Sequence, residues 1–183
     1  MTHPFALDVD TLSGMRPLST AVFSLGSNLG DRLEHLQLAV QALASTPDLV
    51  IVDVSPVYET KPVDAPAGSP DFLNLVVVTE TTQPARVLLE RAHAIESAHE
   101  RHREEVRGPR TLDVDLIVVG RAVNESPELT LPHPRAHERA FVLAPWADIA
   151  PEAEIPGRGR VADLLATVDT SGITRRDDLV VEA

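Results

Sequence analysis

Gly108-Pro109-Arg110-Thr111-Leu112-Asp113-Val114-Asp115-Leu116-Ile117 reads as an arginine turn running into a β-strand. Pro109 cannot donate to a sheet ladder and Gly108 loosens the backbone, so the strand begins near Arg110. Leu112, Val114 and Leu116 then alternate with Asp113 and Asp115, the period of two that sends neighbours to opposite faces. Both carboxylates point the same way, with α-carbons roughly 7 Å apart. Ile117 and Val119 are expected to continue the aspartate face in apolar residues, which leaves the carboxylates partly covered and in need of a partner. A solvated strand face is the ordinary reading of an isolated Asp-x-Asp. Oxygen ligands on a rigid strand beside arginines suit Mg²⁺ holding a polyphosphate better than they suit zinc.

Outward from this strand, the chain reads as two successive β-α-β units. Thr20 to Gly26 is a short strand, and Gly26-Ser27-Asn28-Leu29-Gly30 turns into a helix capped by Asp31 with Glu34 three residues on. Leu33, Leu36, Val40 and Leu43 keep helical spacing. Val50 to Tyr58 alternates as a strand, and Lys61 to Pro70, with three prolines and a glycine, is a long functional-loop candidate. Phe72 to Glu80 is a strand whose Val76-Val77-Val78 implies burial on both faces. Pro84 opens a helix to about Ala98 with Leu88, Leu89, Ala92 and Ile95 as its core stripe. His99 to Arg107 is a second loop candidate before the aspartate strand. Leu131-Pro132-His133-Pro134-Arg135 is stiffened by two prolines; a small helix near Pro145 to Ile149 and a last one around Val161 to Val168 follow. The order predicts a split βαβ sandwich with an antiparallel-rich sheet and helices on one face.

The 183 residues are enough for one domain with a proper core, expected over residues 20–183 after a flexible extension at 1–19. Met15 is a candidate initiator. Mean hydropathy is −0.02. No apolar run reaches the ~18–20 residues of a membrane span, and residues 1–19 have no signal-peptide core. There is no cysteine, so neither a disulfide framework nor a zinc-thiolate site is available, and the cytoplasm is the default address. A net charge of −12 argues against duplex nucleic acid as a partner. A small anionic ligand fits, because Arg101, Arg103, Arg107 and Arg110 fall within ten residues and a guanidinium binds phosphate oxygens in pairs.

Other chemistries fail on spacing. Gly26 to Gly30 is not G-x-G-x-x-G, and Lys61 before Pro62 is not a Walker lysine. Ser24 and Ser27 lack a G-x-S-x-G context, and none of the seven histidines forms H-E-x-x-H. His133 taken alone is more often a turn or core histidine, and Phe72 and Phe141 taken alone are ordinary core residues.

Taken together, Gly26-Ser27-Asn28-Leu29-Gly30-Asp31-Arg32, Tyr58-Glu59-Thr60, Asp71-Phe72-Leu73-Asn74, Gly108 to Asp115, Leu131 to Arg135 and Glu138-Arg139-Ala140-Phe141-Val142-Leu143 strongly resemble the 6-hydroxymethyl-7,8-dihydropterin pyrophosphokinase family of folate biosynthesis. The resemblance spans about residues 20 to 165. It implies a ferredoxin-like α/β fold, a monomer, and transfer of the β,γ-diphosphate of ATP to the pterin hydroxymethyl group with release of AMP. It also implies that Asp113 and Asp115 hold two Mg²⁺ ions. Phe72 and Phe141 would sandwich the pterin, Asn74 would bond its edge, and Thr60, Pro62 and Val63 would line its pocket through backbone groups. Glu96 would support the region. Arg101, Arg110, His133 and Arg139 would grip the ATP phosphates, with Leu116, Thr130 and Arg135 near the nucleotide.

The sequence departs from the family pattern at Arg107, where an aromatic residue is frequent, at Glu100, where a glycine commonly precedes the arginine, and at Asp64 and Ser69 in the proline-rich loop. The reading from another class is a non-catalytic ferredoxin-like module that keeps a nucleotide or metal site. A Mg²⁺-dependent nucleotide hydrolase is a second rival, without the spaced glutamates of a Nudix box.

Overall fold

The structure, a computed structural model, describes residues 16–62, 67–100 and 111–183. Strand β1 (Ser19–Ser27) leads into helix α1 (Arg32–Ala44), whose N-cap is Asp31; its carboxylate accepts from the Glu34 N–H at 3.0 Å. Leu36, Val40 and Leu43 are buried, the stripe expected from their spacing. Strands β2 (Leu49–Val54) and β3 (Tyr58–Thr60) replace the single strand expected over 50–58. Pro56 has no N–H to give a ladder, and Ser55 stitches the gap to β4 (Phe72–Thr81). Its N–H donates to Val76 O at 2.9 Å, and its hydroxyl accepts from Val76 N–H at 2.8 Å. Helix α2 (Ala85–Glu100) and strand β5 (Asp113–Val119) complete the second unit.

The sheet is antiparallel, ordered β10-β3-β4-β1-β5, with β2 also on β4; β10 is Ile173–Arg175. Strand β4 fills the gap inside the first β-α-β unit, and β1 fills the gap inside the second. This is the split βαβ, ferredoxin-like arrangement. A hairpin of β6 (Asn124–Ser126) and β7 (Leu129–Leu131), a 3₁₀ turn (Ala136–Glu138), helix α3 (Ala140–Ile149), a hairpin of β8 (Glu154–Ile155) and β9 (Gly159–Arg160), and helix α4 (Val161–Leu165) follow.

Helices cover both faces of the sheet, where one covered face was expected. Phe23, Leu25, Leu75 and Val114 pack under α1 and α2 with Leu36, Leu43 and Leu88. Val22, Val76 and Ile117 pack on the other face with Val142, Trp146 and Val161 of α3 and α4. Both C-terminal helices were expected, near 145–149 and 161–168, but not as a second layer, because Pro145 hides the first half of α3. Helix α3 nevertheless runs from Ala140 straight through Pro145. An interior proline costs ~3 kcal/mol, and fully burying side chains such as Val142, Leu143 and Trp146 offsets it at roughly 1.5–3 kcal/mol each.

One register detail also differs. A bulge in the β1–β5 pairing falls between Val22 and Phe23, which oppose Val118 and Leu116. Beyond it the faces exchange. Ile117 stays on the aspartate side, but Val119 packs under α1 and α2 while Val118 takes the other face.

Candidate active site

Alternation along the adjacent strands β4, β1 and β5 assembles the site. Residues 23, 25, 73, 75, 114 and 116 point into the core under α1 and α2. Their neighbours Ser24, Gly26, Phe72, Asn74, Asp113 and Asp115 line a cleft of about 530 Å³ on the opposite face, beside Phe141 at the start of α3. Pairing fixes the rows: Asp113 lies opposite Gly26 and Gly26 opposite Asn74, Asp115 opposite Ser24, and Phe72 opposite Thr60. Ser24 and Gly26 are small, so the centre of the sheet becomes the cleft floor.

Gly26 has a specific steric reason. A Cβ there would stand 2.7 Å from Asn74 Oδ1. Asn74, itself buried, is held across the glycine because its Nδ2 donates to Thr60 Oγ1 at 2.6 Å. With Nδ2 on Thr60, Oδ1 lies over Gly26.

At the other end, the stiff segment at 131–135 docks against β5: His133 N–H donates to Ile117 O at 2.8 Å, and Leu131-Pro132 is a cis bond. His133 Nδ1 accepts from Arg135 N–H at 3.2 Å, which places the ring proton on Nε2, 4.0 Å from Asp115 Oδ2. Burial lowers the His133 pKa below its ordinary value; Asp115 raises it, and Arg139 and Arg135 lower it further. The imidazole is therefore a neutral N–H donor. Arg139 Nη1 lies 3.7 Å from Asp115 Oδ2, and its guanidinium carbon lies 5.4 Å from the Phe141 ring centroid, a cation–π distance. One side chain thus links the acidic pair to the aromatic wall. Behind β5, Glu96 of α2 accepts from the Val114 N–H at 2.8 Å and fixes the strand between the two aspartates.

Supporting pairs hold the pocket's edge. Glu59 bridges Arg32, at 2.8 Å, and Arg176, and Arg32 also donates to Asp71 O at 2.8 Å. The bonds from Arg32, with those from Arg176, hold the Glu59 carboxyl below its ordinary 4.5 against the opposing effect of burial. The Tyr58 hydroxyl donates to Asp148 of α3 at 2.7 Å; burial first, then that bond, pushes its pKa up to about 12.

Of the residues expected from the sequence, Thr60, Pro62, Phe72, Asn74, Asp113, Asp115, Arg135, Arg139 and Phe141 line this one cleft. His133 stands at its acidic end. Two expectations change. The Leu116 side chain is buried under α1 and α2, on the wrong side of the sheet for a ligand, as the alternation with Asp115 requires. Thr130 is exposed on the β6–β7 hairpin, bonded to Ser126 O, and does not line the cleft. Val63, Asp64, Arg101, Arg103, Arg107 and Arg110 lie outside the described residues, as does the side chain of Glu100. Ser24, Gly26, Lys61, Glu138 and the turn Asp169 to Ile173 line the cleft without having been singled out for it. Ser24 and Gly26 share the aspartate face by simple alternation and were readable as its small-residue floor. The C-terminal turn carries only a Ser-Gly signal.

A protein-family model described as 7,8-dihydro-6-hydroxymethylpterin-pyrophosphokinase matches residues 22–151. A 2-amino-4-hydroxy-6-hydroxymethyldihydropteridine pyrophosphokinase from Pseudomonas aeruginosa is 39% identical over 83% of this chain and 93% of its own length. Its counterpart from Methylorubrum extorquens is 41% identical over 86% and 99%. Among solved structures, the Plasmodium falciparum HPPK-DHPS wild type with pterin and p-hydroxybenzoate has the same fold, with a TM-score of 0.62 at 15% identity. That match covers 85% of this chain and 44% of the larger one. The fold, the cleft and these likenesses together mean that the chain belongs to the 7,8-dihydro-6-hydroxymethylpterin-pyrophosphokinase family and is a pyrophosphokinase of folate biosynthesis.

Proposed function

We propose that the cleft binds ATP at its β5 end and 6-hydroxymethyl-7,8-dihydropterin between Phe72 and Phe141, and passes the β,γ-diphosphate to the pterin hydroxymethyl group with release of AMP. The observation that carries this is the joint placement of an acidic pair, cationic and N–H donors and two aromatic rings in one cleft. A binding module has no use for all three. Offset stacking of a flat heterocycle contributes on the order of 1–3 kcal/mol per ring by analogy with nucleic-acid bases. Asn74, pinned by Thr60, presents its oxygen to an N–H on the ring edge.

Asp113 and Asp115 suit Mg²⁺: they are oxygen ligands on one face of a rigid strand, partly exposed and facing an open cleft. Among the described residues no group of three His, Asp or Glu residues is placed to hold an ion. The pair fits an ion that completes its shell with water and phosphate oxygens. Bound there with ATP, magnesium ions, two of them by family resemblance, would neutralise phosphate charge and align the diphosphate. Arg139 and Arg135 neutralise the remaining phosphate charge, and the neutral His133 donates from Nε2. Arg101 and Arg110 are assigned to the phosphates, and Val63 to the pterin pocket, on the family pattern. The chain acts as a monomer with small-molecule substrates and no nucleic acid or membrane partner. Among the described residues no helix is long and apolar enough to cross a membrane.

The test is AMP release from ATP and Mg²⁺ with and without the pterin, for wild type and Asp115→Ala. AMP and a diphosphorylated pterin are expected only with the pterin present and only from wild type. A folded wild type that yields no AMP would establish the binding module instead, and a fully active Asp115→Ala would remove the metal assignment.

A further inference from the structure

Part of the cleft wall comes from beyond residues 22–151. The turn from Asp169 to Gly172 and the first residue of β10, Ile173, line the cleft next to Thr60. Strand pairing fixes this turn in place. Ile173 lies opposite Thr60, and the Lys61 N–H donates to Gly172 O at 2.9 Å. Further along, Arg175 pairs with Asp148 at 3.2 Å, and Arg176 pairs with Glu59. The turn cannot leave the pocket without unzipping β10 from β3.

Within the turn, one side chain is aimed by another. Ser171 donates twice to Asp169, from its N–H to Oδ1 at 2.9 Å and from its hydroxyl to Oδ2 at 3.1 Å. The backbone bond first, and then the hydroxyl, hold the Asp169 carboxyl below its ordinary range. Each oxygen retains acceptor capacity. Strand β10 lies four strand spacings, roughly 19 Å, from the strand that carries Asp113 and Asp115. The anionic turn and the acidic pair with its arginines therefore occupy opposite ends of the same opening.

We infer that Asp169 is a specificity-determining residue of this cleft. Its carboxylate accepts from N–H groups on the edge of the flat heterocycle and repels phosphate from that end. A cleft that takes a polyanion and an uncharged ring must sort them, and a fixed negative charge at the ring end does so at little cost to the ring. The inference rests on the pterin pocket proposed above.

Steady-state kinetics of Asp169→Asn and Ser171→Ala, with thermal unfolding as a folding check, test it. Asp169→Asn is expected to raise KM for 6-hydroxymethyl-7,8-dihydropterin about tenfold, the loss of one charge-assisted bond. KM for ATP should stay within about twofold. Ser171→Ala should shift the pterin KM in the same direction by about threefold, since it frees the carboxylate without removing it. An unchanged pterin KM, or equal rises for pterin and ATP, would overturn the assignment. A wild type without pterin-dependent AMP would overturn it together with the pocket beneath it.

Discussion

Gly26 shows how one missing side chain shapes the site. Adding a Cβ drives it to 2.7 Å from Asn74 Oδ1, so Asn74 must swing away and lose its bond to Thr60. Gly26→Ala is expected to destabilise the fold by about 1–3 kcal/mol. The pterin KM should rise about tenfold while that of ATP changes little, because the clash lies at the ring end of the cleft. Denaturant unfolding together with two-substrate kinetics checks both halves. At this scale the aspartates were legible in the sequence because period-two alternation is a strong local signal. The bond between Thr60 and Asn74 was not, since it joins residues whose nearness depends on strand pairing.

Elements carry the precision of the acidic pair. Strand β5 is held from behind by Glu96 of α2, which accepts from the N–H of the buried Val114. Glu96→Ala leaves that N–H without its acceptor, so stability should fall by about 1–3 kcal/mol. Turnover should fall further than the fraction folded does, because Asp113 and Asp115 flank the released position. Glu96→Gln keeps an amide oxygen and should lose less of both. Comparing unfolding curves with turnover for the two variants decides the point, and equal losses in both would mean that Glu96 does not act through Val114. Helix α1 was legible from its Asp31 cap and apolar stripe, and Asp31 caps the first turn as expected. The break between β2 and β3 was readable only as a proline, because the repair by Ser55 involves a partner twenty-one residues away. The exchange of Val118 and Val119 follows from a bulge, which leaves no mark on a pattern of consecutive valines.

For the whole molecule, the Arg32–Glu59–Arg176 bridge ties the first helix, strand β3 and the residue that follows β10 together. Its folded-state carboxyl pKa is lowered from 4.5. A depressed carboxyl contributes stability above its unfolded value, and that contribution disappears as the pH drops through the folded value. Glu59→Gln should therefore show a constant stability deficit at neutral pH that shrinks in acid below about pH 4.5. Chemical unfolding across that range measures it, and a deficit independent of pH would assign the loss to packing rather than charge. Helices were expected where α3 and α4 lie, but their role as a second layer, and strand β10, escaped the sequence reading for a common reason. Each is short or interrupted, and each exists because a sheet already built offers it a face or an edge.

The order in which a ribosome makes this chain runs against the order in which the sheet is knitted. Strand β1 is the hub, yet its two neighbours emerge only with Thr81 and then Val119. During synthesis it waits as an apolar strand with both edges open. The cleft waits longer still, because its last wall arrives with Ile173. A nascent chain stalled before that residue would carry the acidic pair and both aromatic rings and still lack the far side of the opening.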